Sequence, residues 1–170
     1  NLALKTFIKK NNQLAKNYNI KNLMIMIDNE GDLCTNNKKM RLNAIENHYP
    51  WVETAAAMGC HSIRINLFVP SGTPYDVNDW KNTSIESLSK IGEYGESYGI
   101  NILVENHGGL SSNAKLLLEV INTVNKNNCG TLPDFGNFCM RREGNERWDK
   151  KCMEEYDKYI GMEELMDKNL

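Results

Sequence analysis

The sequence predicts an α/β fold, a partial (β/α)8 TIM barrel of about four parallel strands with intervening helices, and three observations point there. Helical and strand patterns alternate along the chain. No linker, repeat or low-complexity tract interrupts them. Each strand also turns polar on one face toward its C-terminal end. Strands alternating with long helices pair in parallel through right-handed crossovers. Length alone favours an open doubly wound sheet, because a complete barrel needs about 250 residues and this chain has 170. The strand ends reverse that preference. An open sheet is covered by helices on both faces and reads apolar on both, whereas a barrel's interior becomes the floor of a site at its C-terminal mouth.

The elements follow in order. Leu2, Phe7, Ile8, Leu14 and Ala15 fall on one face of a first helix, running to Tyr18. The apolar run from Asn22 to Asp28 reads as a strand, and Gly31 as the turn after it. Residues 38–58 read as a helix closed by Gly59. A second strand covers Ser62 to Phe68 and stops at Pro70, Gly72 and Pro74. Thr83 or Ser84 is expected to cap a helix running to Tyr98, with Gly99 after its end. A third strand spans Asn101 to Glu105, and Ser111 or Ser112 is expected to cap the helix carrying Leu116, Leu117, Val120, Ile121 and Val124. A fourth strand covers Gly130 to Asp134, and a final amphipathic outer helix is expected from about Asp149 to Met166, with Trp148 at its start. The whole reads as one incomplete barrel domain over residues 1–170, with two exposed sheet edges.

Composition narrows the function. With 41% hydrophobic and 25% charged residues the chain has the make-up of a globular domain. The 20 basic and 22 acidic side chains give a net charge of -2, without the basic stripe that a phosphate backbone selects for. A nucleic-acid partner is therefore not expected. No run approaches the roughly 20 apolar residues of a membrane span. The count of five cysteines is odd and contains no C-x-x-C pair, so they are expected to be scattered reduced thiols. No signal-peptide pattern is visible and the sequence begins at Asn1. The compartment stays open, with the cytoplasm as first expectation.

Side chains alternate faces along a strand. Ile63, Ile65 and Leu67, like Ile100, Ile102 and Val104, are placed to meet helices. The opposite face carries Arg64 with Asn66, then Glu105 with His107, with Asp28 and Asp134 at the ends of the flanking strands. Carboxylates so placed need a partner, since an unpaired buried charge is expensive. Two partners stand as equal alternatives on pattern alone: an Arg64–Glu105 salt bridge, or a divalent cation on Glu105 and Asp134. Hard oxygen ligands with imidazole nearby suit Mn²⁺, Mg²⁺ or Co²⁺ before a thiolate-seeking metal, and Zn²⁺ stays admissible. Asp134-Phe135-Gly136 spells a kinase metal-binding tripeptide, but no glycine-rich phosphate loop precedes it.

Three segments, 55–66 (AAAMGCHSIRIN), 98–109 (YGINILVENHGG) and 129–137 (CGTLPDFGN), resemble the xylose-isomerase-like barrel superfamily, and within it the sugar phosphate isomerase/epimerase branch. The resemblance runs through nearly the whole chain. It implies a barrel whose divalent metal is held by Glu, Asp, His and Glu from four strands. Glu105 matches the first ligand and Asp134 the second. The other two, with a second acid/base glutamate, are expected beyond Leu170, so that the chain corresponds to about strands two to five and is inactive alone. The implied activity is isomerisation or epimerisation of a sugar, sugar phosphate or related hydroxy-carbonyl compound through an enediolate, with Glu105 as acid/base. Arg64, Asn66, His107 and Asn137 are the expected substrate-binding residues. Asn137 stands where such epimerases commonly carry a His, and Ser111 where they often carry a second Glu. Those departures keep open a non-catalytic sugar-binding barrel; a metal-dependent apurinic-site endonuclease relative is the more distant alternative. Oligomerisation is compatible with all three.

Overall fold

The computed structural model describes residues 2–68, 76–145, 149–168 and 170. Its elements are α1 (Leu2–Tyr18), β1 (Met24–Met26), α2 (Lys38–Ala57), β2 (Ser62–Asn66), α3 (Val77–Ser97), β3 (Asn101–Glu105), α4 (Ala114–Val124), β4 (Cys129–Leu132), β5 (Cys139–Arg142), β6 (Cys152–Glu155) and α5 (Lys158–Met166). Strands β1 to β4 form one parallel sheet in sequence order, each joined to the next by a helix. This is the expected partial (β/α)8 barrel.

The apolar face of each strand behaves as its alternation requires. Ile63, Ile65, Ile102 and Val104 are fully buried and join Leu88, Ile91, Leu117 and Val120 of the covering helices in one core. Trp80 of α3 is also fully buried, its indole N–H donating to Leu67 O at 2.9 Å. Helix α3 lies close on the sheet because it is glycine there. A Cβ on Gly95 would stand 2.8 Å from Ile100 O. Gly59 and Gly99 take positive φ of 72° and 67° after α2 and α3, the left-handed step that ends a helix without a Cβ penalty.

Register fixes what shares a level on the opposite face. Met26, Arg64, Leu103 and Gly130 form one row across the sheet, and Asn66, Glu105 and Leu132 form the row above it. One sheet edge is β1, which pairs with β2. The edge at β4 is already met from within the chain, because Thr131 N–H donates to Lys168 O at 3.0 Å and Thr131 Oγ1 to Leu165 O at 2.7 Å.

Several expectations are corrected. Thr83 and Ser84 do not cap α3. The helix begins after Asp76, whose carboxylate accepts from Asn78 N at 2.8 Å and Asp79 N at 3.1 Å. Thr83 and Ser87 lie inside it, buried, and donate to Cys34 O and Leu33 O of the β1–α2 loop. Asn113, not Ser111 or Ser112, caps α4 through Leu116 N at 3.2 Å. The fourth strand is Cys129–Leu132, so Asp134 follows its end by two residues. The helix expected from Asp149 begins only at Lys158. Before it lies β6, antiparallel to β5, a hairpin that the pattern did not reveal; Trp148 falls outside the described residues. The cysteines are not all reduced either. Cys139 and Cys152 form a disulfide closing that hairpin, while Cys34, Cys60 and Cys129 are buried free thiols. Burial pushes the Cys129 thiol up to about 12, which keeps it an uncharged packing group.

Candidate functional site

Glu105 is the last residue of β3. The alternation that puts Val104 among the helices turns the Glu105 side chain into the polar row. It is 4% exposed, so its charge must be compensated locally. Three groups do this. His107 Nδ1 lies 3.0 Å from Oε1, the Asn137 amide donates to the same oxygen at 3.2 Å, and Arg64 Nε stands 2.8 Å from Oε2. Burial pushes the Glu105 carboxyl upward, but the bond and charge of His107, the charge of Arg64 and the bond from Asn137 outweigh it and hold the group below its ordinary value. Glu105 is therefore a carboxylate at neutral pH.

The contact at Oε2 is close without being directed. Arg64 Nε and Glu105 Oε2 are at ion-pair distance, yet both are buried atoms without a hydrogen-bond partner. Arg64 thus acts here as a point charge. Its Nη1 is engaged elsewhere, on Asp28 Oδ1 at 2.8 Å and Ile27 O at 3.1 Å. The Asn66 amide donates to the same Asp28 oxygen at 2.9 Å. The hydrogen bond from Arg64 holds the Asp28 carboxyl below the usual carboxylate range. The salt bridge anticipated from the sequence is present, and it spans from β3 through β2 to the end of β1.

Asp134 is held differently. Its Oδ1 accepts from Gly136 N at 2.7 Å, the turn that follows β4. Its backbone is clamped by Asn106, which accepts from Asp134 N at 2.6 Å and donates to Asp134 O at 2.9 Å and Asn137 O at 3.1 Å. Ser112 donates to Asn137 O as well, at 2.7 Å, and Ser111 bonds His107 N and Gly108 O. Asn106 was not anticipated. It sits on the apolar parity of β3, fully buried, and the amide standing there between Glu105 and His107 is the signal that it locks one strand-end loop to the next.

The sequence-selected residues are thus brought together around Glu105 for Arg64, Asn66, His107 and Asn137, with Asp134 on the adjoining loop. Hard oxygen donors at the end of β3 and just beyond β4 are the chemistry of half a divalent-cation site, with Glu105 Oε2 already at ion-pair distance from Arg64 Nε. No group of three or more His, Cys, Asp or Glu side chains arranged to hold a metal occurs among the described residues. No helix among them is long and apolar enough to cross a membrane.

Comparison with known proteins gives the family and the fold. The family model described as "Xylose isomerase-like TIM barrel" matches residues 5–168. No curated protein matches the chain by sequence. Among solved structures, a D-tagatose 3-epimerase-like protein is 22% identical with a TM-score of 0.69, over 76% of this chain and 51% of its own. The apo form of 3-keto-D-glucoside 4-epimerase YcjR from E. coli is 13% identical with a TM-score of 0.75, over 98% of this chain and 63% of its own. An IolI protein with a zinc atom is 20% identical with a TM-score of 0.62, over 75% of this chain and 48% of its own. The chain spans between about half and under two thirds of the length of these structures.

Proposed function

Because this chain belongs to the xylose isomerase-like TIM barrel family, we propose that it contributes the Glu105 half of the catalytic site of a metal-dependent sugar isomerase or epimerase. The substrate class is a sugar or a related hydroxy-carbonyl compound, and the pathway runs through an enediolate. The observation that carries this reading is Glu105 itself: buried, yet held ionised by His107, Arg64 and Asn137, which is the state a general base requires. Titratable groups with perturbed pKa values gathered at a strand-end mouth are what proton-transfer sites look like.

Glu105 takes the proton from the carbon beside the carbonyl. The C–H electron pair forms the carbon–carbon double bond of the enediolate while the carbonyl π pair moves onto its oxygen. On return of the proton to carbon, from Glu105 or from a second acid on the opposite face, the C=O bond re-forms. A family-type second glutamate would belong to a strand outside this chain. Asn137 and His107 fix the Glu105 carboxylate so that it reaches the carbon without rotating, and Asn106 fixes Asn137 in turn. Arg64 stabilises the ionised form from beneath. Glu105 and Asp134 are the residues of this chain that would hold a divalent cation. Mn²⁺, Mg²⁺ or Co²⁺ fits these hard donors, and Zn²⁺ is admitted by the zinc in the IolI structure. Such a cation would supply Lewis-acid polarisation of the substrate carbonyl.

The test is solvent-deuterium exchange, followed by NMR, on the full-length protein with Mn²⁺ and a panel of ketoses, aldoses and inososes. Wild type exchanges the proton on carbon with at least one of them, and Glu105→Gln lowers the rate by about 10²- to 10⁴-fold, the usual contribution of a positioned base. A protein that binds the metal yet exchanges no sugar in the panel sinks the proposal. One observation favours a second reading, a sugar-binding barrel without turnover: Arg64 already gives Glu105 a buried cationic partner. Calorimetric sugar binding that is indifferent to a chelator would select that reading.

A further inference from the structure

Beside Glu105, toward β1, the strand-end loops enclose a cleft of about 530 Å³. Asp28, Asn29, Glu30, Asp32, His48, Asn66 and His107 supply its polar lining, and no Lys or Arg occurs among the described residues that line it. Asn66 and His107 belong to the catalytic cluster, so the cleft opens directly off the reaction site. Arg64, the nearby guanidinium, is 3% exposed and turned onto Asp28, Ile27 O and Glu105, which leaves the cleft with net negative charge.

Two groups in that lining point to a ligand. His48 is 3% exposed on α2, and its Nδ1 lies 2.7 Å from Ala44 O. A carbonyl accepts only from N–H, so Nδ1 carries the proton and Nε2 presents a lone pair, with no partner among the described residues. Burial holds the imidazole below its ordinary pKa and therefore neutral. Asn66 Oδ1 is a second buried acceptor without a hydrogen bond. Neutral acceptors beside carboxylates are matched by hydroxyl groups, which donate. A phosphate dianion brings acceptors to acceptors and charge to like charge.

We propose that this cleft receives the hydroxyl-rich end of the substrate remote from the reacting carbon, and that its lining selects an unphosphorylated sugar over a sugar phosphate. The inference rests on the isomerase reading above and deepens it. His48 Nε2 accepts from one remote hydroxyl, and Glu30, itself held by the Trp51 indole at 2.8 Å, faces another. The acidic wall supplies discrimination by repulsion, which costs a wrong ligand more than a missing contact does.

The test is titration calorimetry of the full-length protein with Mn²⁺, using ketohexoses and their terminal phosphate esters. Free sugars bind at least about tenfold tighter than their esters, the scale expected for a dianion brought near several part-solvated carboxylates. Glu30→Lys raises ester affinity by about tenfold or more, and His48→Phe, close in volume without the acceptor, weakens the free sugar. Circular dichroism verifies the fold of each variant. Should either be unfolded, the wild-type comparison decides alone. Esters that bind wild type as tightly as free sugars overturn the proposal and leave the isomerase reading standing. Binding of neither class by a metal-loaded protein removes both.

Discussion

At the scale of single residues, the site is organised by one buried ion pair that serves three strands. Arg64 and Glu105 side chains are 4% and 5% exposed, so each charge must be compensated within the protein. Arg64 is shared between Glu105 and Asp28, and Glu105 also has His107 and Asn137. Replacing a buried pair with apolar groups is often tolerated, whereas removing one partner strands the other at a cost of about 3–5 kcal/mol. Arg64→Leu is therefore expected to lower the urea-unfolding free energy by roughly that amount, and Arg64→Leu with Glu105→Leu by clearly less. A single variant that unfolds at the wild-type denaturant midpoint would show that the pair carries no such weight. These residues were legible in the sequence because strand alternation assigns side chains to faces, and a polar residue on the mouth side stands out against its apolar neighbours. Asn106 and His48 were not. Asn106 occupies a core parity and His48 a helix, and the role of each depends on which loop or carbonyl lies opposite, which only the packed chain determines.

At the scale of elements, the helices and the four parallel strands follow from periodicity, and the hairpin β5–β6 does not. Its strands, Cys139–Arg142 and Cys152–Glu155, are short, largely solvent-facing and charged, so they lack the apolar alternation by which a half-buried strand is read. The Cys139–Cys152 disulfide joins them across a separation of 13 residues, and spacing alone does not assign such a pairing. The cap of α3 escaped notice for another reason: Thr83 and Ser84 have cap chemistry, but their hydroxyls bond within the core and Asp76 takes the terminus. Helix α5 follows the hairpin and is seated by one close approach, Gly161 against the buried ring of Phe138, where an added Cβ would overlap the ring edge. Gly161→Ala forces either the ring or the helix to move, an overpacking cost of about 1–3 kcal/mol. Because Leu165 and Lys168 carbonyls cover Thr131, amide exchange at Thr131 should accelerate in the same variant. An unchanged melting temperature with unchanged exchange would mean that α5 is not seated through this contact.

At the scale of the whole molecule, the two ends of the sheet differ, and the difference has a consequence in solution. The β4 edge is met by the chain's own residues 165–168, whereas β1 has no strand on its outer side among the described residues. At β1 two large apolar side chains face solvent, Leu23 and Met26, 59% and 54% exposed. An unpaired strand with exposed apolar neighbours is a template for another chain, and an inward-pointing charge is a device that blocks it. The 170 residues alone are therefore expected to self-associate with rising concentration, measured by sedimentation velocity across a hundredfold range. Met26→Lys places a charge on the open row of the sheet without touching a ladder hydrogen bond, and it should shift the same titration toward monomer. Monomeric behaviour of the wild-type chain across the whole range would show that the β1 edge does not act as such a template. Association that Met26→Lys leaves unchanged would move the contact to another surface and away from β1.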